Sequence, residues 1–97
     1  MRVIKKRTLK EFWEKNGDSK KALEAWYAEA KGADWQTSAE IKAQFRNASI
    51  LKNSRVVFNI HGNTYRLVVK INYPLSIIFI RFIGTHHEYD QIEAEEI

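Results

Sequence analysis

From His86 to Asp90 every residue carries an ionisable side chain: His86, His87, Glu88, Tyr89 and Asp90, directly after Gly84-Thr85. On a short helix His86, Tyr89 and Asp90 stand at i, i+3 and i+4 and share one face. An imidazole, a phenol and a carboxylate on one face can move protons on and off oxygen. Histidine titrates near physiological pH, and a phenol among cations can have its pKa lowered. A second reading is a metal site, with His86 and Asp90 as ligands and His61 as a third. That spacing completes no zinc pattern. A third reading is a capped helix with Tyr89 buried and the histidines solvated.

Chemistry on a phosphate also needs cations. Arg66 and Lys70 alternate with Val68 on a segment whose other face is Tyr65, Leu67, Val69 and Ile71. Arg81 is the single charge in an otherwise apolar run. A guanidinium there needs an anionic or polar partner, or a cleft. Glu24 or Glu29 on a helix would serve as an ion-pair partner. Alternatively Lys52, Arg55, Arg66, Lys70 and Arg81 converge on one sheet face that binds RNA phosphates. Strand parity leaves these two alternatives open.

The elements that must position these residues fall into two halves. Arg2 to Lys6 reads as a short strand. Thr8-Leu9-Lys10-Glu11 reads as a capping box opening a first helix from about Leu9 to Lys15. Asn16-Gly17-Asp18 breaks it, and Asp18 or Ser19 is placed to cap the next. There Ala22, Leu23, Trp26, Tyr27 and Ala30 form one apolar stripe at helical spacing, and Gly32 takes the C′ position. Thr37-Ser38-Ala39-Glu40 is a second capping box, with Ile41 and Phe45 one turn apart. From Arg55 the chain turns to strands. Val56, Phe58 and Ile60 alternate on the first, His61-Gly62-Asn63-Thr64 forms a hairpin turn, and a second strand runs from Thr64 to about Asn72. Tyr73-Pro74-Leu75 is the next turn. Ser76 to Ile83 is apolar on nearly both faces, which predicts a central or covered strand. Gly84 ends it, and Thr85-His86-His87-Glu88 caps a last short helix. Helices followed by a meander predict an α+β fold, with helices packed on one face of an antiparallel sheet.

Composition narrows the function classes. The chain has 97 residues, 44% hydrophobic and 29% charged, enough for one modest core. With no cysteine, thiolate metal sites, disulfides and cysteine nucleophiles are excluded. No apolar run is long enough to span a membrane, and no apolar stretch follows the N-terminal charges as in a secretory signal. A cytoplasmic location is expected. The net charge is +4, unevenly spread. Met1 to Thr85 carries sixteen cations against seven acids, +9; the last twelve residues hold five acids and no Lys or Arg. Such a body is drawn to polyanions. The acidic tail Glu93-Ala94-Glu95-Glu96 is expected to fray, the alternative being that it folds toward the cationic sheet.

Two stretches together resemble the HigB family of toxins, which are RelE-like mRNA interferases. They are Phe58-Asn59-Ile60-His61-Gly62-Asn63-Thr64-Tyr65-Arg66 and, after Arg81, Thr85-His86-His87-Glu88-Tyr89-Asp90. Their separation and the chain length fit as well; His61 departs from the family pattern. The resemblance implies a single RelE-like domain over residues 1–97, its helices packed on a small twisted antiparallel sheet. It implies an endoribonuclease that cuts mRNA on translating ribosomes by 2′-hydroxyl attack, with no metal or other cofactor. Carried onto this chain, His86 and Tyr89 move protons, Arg66 and Arg81 stabilise the phosphate, and Asp90 orients an imidazole. Lys52, Arg55, Asn63 and Lys70 would position RNA. The partners implied are mRNA, the ribosome and a HigA-like helix-turn-helix antitoxin. Operator DNA is bound only through the toxin–antitoxin complex, and no membrane partner is implied. A non-catalytic RNA- or ribosome-binding module has the same electrostatics and is the alternative. A related toxin aimed at gyrase would need no proton-transfer groups.

Overall fold

The computed structural model describes residues 1–97. In chain order the elements are β1 (Arg2–Ile4), α1 (Lys6–Lys15), a single 3₁₀ turn (Gly17–Ser19), α2 (Lys20–Gly32), α3 (Ser38–Gln44), β2 (Ser49–Ile50), β3 (Arg55–Ile60), β4 (Tyr65–Asn72), β5 (Ile77–Thr85) and α4 (His86–Tyr89). The five strands form one sheet in the order β1-β5-β4-β3-β2. β2 to β5 pair antiparallel; β1 pairs parallel with β5, so the sheet is mixed. A strand at the chain's start reaches β5 only after the helices and the hairpin have been laid down. Nothing in local sequence pattern announces that pairing.

Alternation divides β3 and β4 between two faces. Val56, Phe58 and Ile60 on β3, with Leu67, Val69 and Ile71 on β4, face the helices and join Leu9, Leu23, Trp26 and Ile41 in one buried cluster. The stripe expected on α2 is there: Leu23, Trp26 and Ala30 are buried. Trp26 and Phe45 each meet Phe58 edge to face, at centroid distances of 5.3 and 5.0 Å. β5 lies between β1 and β4, as its two apolar faces require.

Several local signals resolve differently. α1 starts at Lys6, not at a Thr8 cap. The chain leaves β1 through Lys5 in the left-handed region (φ 72°), and Thr8 lies inside the first turn. The short parallel strand forces this early reversal, and the helix begins where the turn leaves off. Neither Asp18 nor Ser19 caps α2: Ser19 Oγ donates back to the Asn16 carbonyl, and Asp18 accepts from Tyr65. Gly32 is the last helical residue with ordinary φ, and Ala33 is the cap. Thr37 accepts from Glu40 N as expected, but the Glu40 carboxylate bonds Gln36 N rather than closing a box. Gly84 does not end β5, which runs on through Thr85. The Thr85/Glu88 capping box forms in full, with Glu88 N donating to Thr85 Oγ1 at 3.1 Å and Thr85 N donating to Glu88 Oε1 at 2.8 Å.

The sheet's second face carries Arg55, Val57 and Asn59 on β3, and Arg66, Val68 and Lys70 on β4. Val57 and Val68 are fully buried although no N-terminal helix covers them. α4 folds back over β5 and β4, and the chain after it runs toward the start of β3. It ends against Lys52, Asn53 and Arg55: Lys52 N donates to Glu95 Oε2 (3.0 Å), Asn53 Nδ2 to the Glu95 carbonyl (3.1 Å), and Arg55 Nε to the Ile97 carbonyl (3.0 Å). The acidic tail is therefore docked rather than frayed.

Candidate active site

β4 is the element that sets the site. Register places Arg66 opposite Asn59 on one side and Gly84 on the other, so these three share a row across the second face. α4 begins two residues beyond Gly84 and hangs His86 and Tyr89 over that row. Gly84 makes the fold-back possible. A Cβ there would lie 2.6 Å from Phe82 Cζ and 2.9 Å from Glu88 Oε1, so any side chain would force both of them to shift.

Arg66 holds two of the expected proton-transfer residues together. Its Nε–H donates to His86 Nε2 at 3.2 Å, and its guanidinium carbon sits 5.0 Å from the centre of the Tyr89 ring. A guanidinium only donates, so this bond requires the lone pair of His86 at Nε2 and the ring proton at Nδ1. All three side chains are half-buried, at the boundary between the covered sheet and solvent. The arrangement offers a cation, a nucleophile-activating lone pair and a phenol around one point on an open sheet end.

The other expected residues are placed as follows. Asp90 is exposed; its backbone N–H bonds the His86 carbonyl, and its carboxylate bonds neither histidine. An orienting role for the Asp90 carboxylate has no contact here to act through. Arg81 sits at a β-bulge, the residue skipped between the Val69–Ile80 and Val68–Phe82 pairs. It is exposed, lies 5.7 Å from the centre of the Phe79 ring and pairs with neither Glu24 nor Glu29. The bulge is what lets a charge interrupt an apolar strand: it turns the side chain out to water. Asn63 is exposed in the β3–β4 turn, at the same end of the sheet as Arg66. Lys70 pairs with Arg55, four residues along β4 from Arg66, about 13 Å away at strand rise.

Arg55 departs most from expectation. It is only 8% exposed, and its guanidinium donates to the carbonyls of Ile97 and Asn53. Its guanidinium is turned to these carbonyls rather than to the open face, and its charge holds the tail. Lys52 keeps an exposed side chain, but its backbone is tied to Glu95. The five strand cations thus do not converge. Arg66 stands at the hairpin end, Arg81 at the bulge and Lys70 at the far end of β4, while Lys52 and Arg55 belong to the tail's anchorage.

His61 does not join His86 and Asp90. It stands in the β3–β4 turn at φ 55°, with Nε2 3.9 Å from Asp18 Oδ2, and no three ligating side chains come together anywhere in the chain. Asp18 also accepts from the Tyr65 hydroxyl at 2.6 Å. That bond, with burial and the charge of Asp18 adding to it, raises the Tyr65 pKa above its ordinary 10.0.

Sequence reasoning gave no role to Asn59, which shares Arg66's row. Its signal was available, because the hairpin turn fixes the β3–β4 register and the register sets Asn59 beside Arg66.

A small α+β fold with a basic, acid–base-equipped end of its sheet defines a candidate nuclease of the RelE-like architecture. The comparisons with known proteins agree. The family model for HigB toxin, the RelE-like toxic component of a toxin-antitoxin system, matches residues 19–92. The mRNA interferase HigB of Escherichia coli O6:H1 (strain CFT073) is 30% identical over 94 residues, covering 95% of this chain and 91% of that one. The chain belongs to the HigB toxin family. The matched span contains every residue of the Arg66–His86–Tyr89 cluster. No helix is long and apolar enough to cross a membrane.

Proposed function

We propose that this toxin is an mRNA interferase whose active site is the Arg66–His86–Tyr89 cluster. The observation that carries the reading is the bond from Arg66 Nε to His86 Nε2, with the same guanidinium lying against Tyr89. In the free protein the guanidinium occupies the lone pair that a general base must use. A phosphodiester entering the site offers Arg66 a stronger acceptor, because a charge-assisted bond to phosphate exceeds one to a neutral nitrogen. Arg66 then turns to the phosphate and releases Nε2.

The reaction follows from that exchange. His86 Nε2 takes the 2′-hydroxyl proton, and the 2′-oxygen attacks the adjacent phosphorus. Arg66, with Arg81 as second cation, stabilises the negative charge that builds on the phosphoryl oxygens. The bond from phosphorus to the 5′-oxygen breaks, and the Tyr89 hydroxyl gives its proton to that oxygen. The products are a 2′,3′-cyclic phosphate and a 5′-hydroxyl end. His86 leaves protonated and Tyr89 deprotonated, so one proton returns between them through solvent before the next turnover. Lys70 and Asn63 extend the contact to RNA on either side, and the translating ribosome presents the substrate in the cytoplasm. A HigA-like helix-turn-helix antitoxin neutralises the toxin, and the pair together binds operator DNA.

Inducible expression of the wild type beside His86→Ala and Tyr89→Ala tests this, with growth and mRNA 5′ ends followed together. The expected result is arrest with new 5′-hydroxyl ends, both lost in the two variants. Arrest that persists in both variants without new ends would overturn cleavage and leave a toxin that works by binding RNA or the ribosome.

A further inference from the structure

Beside the cluster, at the outer edge of β3, lies a groove of about 250 Å³ that the reaction above does not use. Its walls are Phe45, Arg46, Asn47, Asn59 and the turn glycine Gly62, with Phe58 and Ala48 at the base. Three features set it apart from an ordinary surface dent. Its polar side chains are unengaged: Arg46 has no ion pair, and neither Asn47 nor Asn59 makes a side-chain hydrogen bond, although Asn59 is half-buried. The strand edge is open there too. β2 covers β3 only at Val56 and Val57, so Phe58, Asn59 and Ile60 have no strand partner on that side. The groove also borders the cluster, since Asn59 in its wall is the direct cross-strand neighbour of Arg66.

These features match the needs of a single-stranded nucleotide. An amide offers both donors and an acceptor, the pattern that reads a base edge, and single-stranded RNA exposes those edges. A guanidinium at the rim takes the phosphate on the far side of that base. An open strand edge supplies further main-chain donors and acceptors. Adjacent strands are about 4.8 Å apart, so Asn59 stands one strand spacing from Arg66. That places the groove next to the scissile phosphate rather than at it.

We infer that this groove is a base-reading subsite for the nucleotide flanking the cut, with Asn59 contacting the base and Arg46 its outer phosphate. The inference rests on the mRNA-cleaving reading and adds to it the residue that sets sequence preference. Asn59 acts here as a specificity residue and takes no part in proton transfer.

The test maps mRNA 5′ ends after induction of wild type, Asn59→Ala, Asn59→Asp and Arg46→Ala, each also co-expressed with its antitoxin. Asn59→Asp keeps the side chain's shape and exchanges its donors for an acceptor. The expected result is that Asn59→Ala loses about tenfold of the preference at one position beside the cut. Asn59→Asp favours a different base at that same position, and Arg46→Ala lowers cutting at all sites alike. A merely structural role for Asn59 would reduce cutting without moving the preferred base, and that pattern overturns the inference. So does an unchanged cut-site profile in all three variants, while leaving the interferase standing. Intact cutting with lost neutralisation by the antitoxin would assign the open edge to a protein partner instead. If the wild type itself makes no new ends, the cleavage reading falls, and the subsite falls with it.

Discussion

Gly84→Ala isolates the device that brings α4 onto the sheet. The added methyl would meet Phe82 Cζ at 2.6 Å, Glu88 Oε1 at 2.9 Å and Glu88 Cβ at 3.3 Å. The carboxylate can swing aside, but only by giving up its bond from Thr85 N. That bond contributes about 1 kcal/mol. The Phe82 ring and the start of α4 must shift as well, an overpacking cost of about 1–3 kcal/mol. Alanine recovers roughly 0.5–1 kcal/mol by restricting the unfolded chain. The net expectation is a loss of about 1–3 kcal/mol, or roughly 5–20 °C in Tm for a domain of this size. Urea unfolding should show a lower midpoint with an unchanged slope. Because the same shift moves His86 away from Arg66, cleavage should fall further than the lost folded fraction explains. The companion is Phe82→Leu with Gly84→Ala: leucine lacks the atom at 2.6 Å, so the double variant should be more stable than the two single losses added together predict. A Gly84→Ala protein that melts at the wild-type temperature, or a strictly additive pair, would refute the argument that this glycine is there for close packing.

Three other changes probe separate parts of the molecule. Arg66→Lys keeps the charge but loses the planar fork and the Nε donor; mRNA cleavage should drop by about a hundredfold, read as new 5′ ends over time, with the protein still folded by circular dichroism. Arg55→Ala should destabilise by about 2–3 kcal/mol in denaturant, by cutting the charge-assisted bonds to Ile97 and Asn53; a loss of RNA cleavage with unchanged stability would contradict its structural role. Tyr65→Phe removes the bond to Asp18, whose effect, with burial and the Asp18 charge, holds the phenol above its ordinary pKa of 10.0. Since the folded value lies above the unfolded one, that stabilisation is intact below pH 10 and fades as the pH rises through the folded value. Thermal melts across pH 8 to 11 should therefore show a wild-type advantage that shrinks at the alkaline end, and a constant difference would disprove the linkage.

What could be read from the sequence was what local pattern controls. The apolar stripe of α2, the hairpin between β3 and β4, and the Thr85–Glu88 box all depend on neighbours within a few residues, and all are present. The misread signals share a cause. Thr8 has the chemistry of a cap, but the parallel pairing of Arg2–Ile4 with Ile77–Phe79 fixes where the chain must turn, and the helix starts earlier. Gly84 looks like a strand end because glycine usually marks one; here it is the contact point of an element that comes back over the strand. Arg55 reads as a ligand for phosphate because it falls among the other strand cations, but its guanidinium is taken up by Asn53 O and by Ile97 O, 42 residues away. Each of these needs knowledge of which distant segment arrives.

The same distinction explains why a body of charge +9 has so small a site. A row of cations on a strand invites the view that the whole face binds RNA. The face is in fact divided along its length. At the β3 start, Arg55 is sealed under the tail; in the middle, Val57 and Val68 are dry; only at the Arg66 end does the sheet meet solvent with cation, imidazole and phenol in contact. α4 packs over β5 and β4 and sets His86 over Arg66, and the tail that follows it is held at the start of β3. A tail released from Lys52 and Arg55 should therefore loosen the cluster as well as expose the Arg55 guanidinium. The observable is cleavage by a chain ending at Ala94, which removes the Glu95 and Ile97 acceptors together: if the tail supports the site through α4, activity falls; if the freed guanidinium dominates, activity rises, and the supporting role assigned to the tail is wrong.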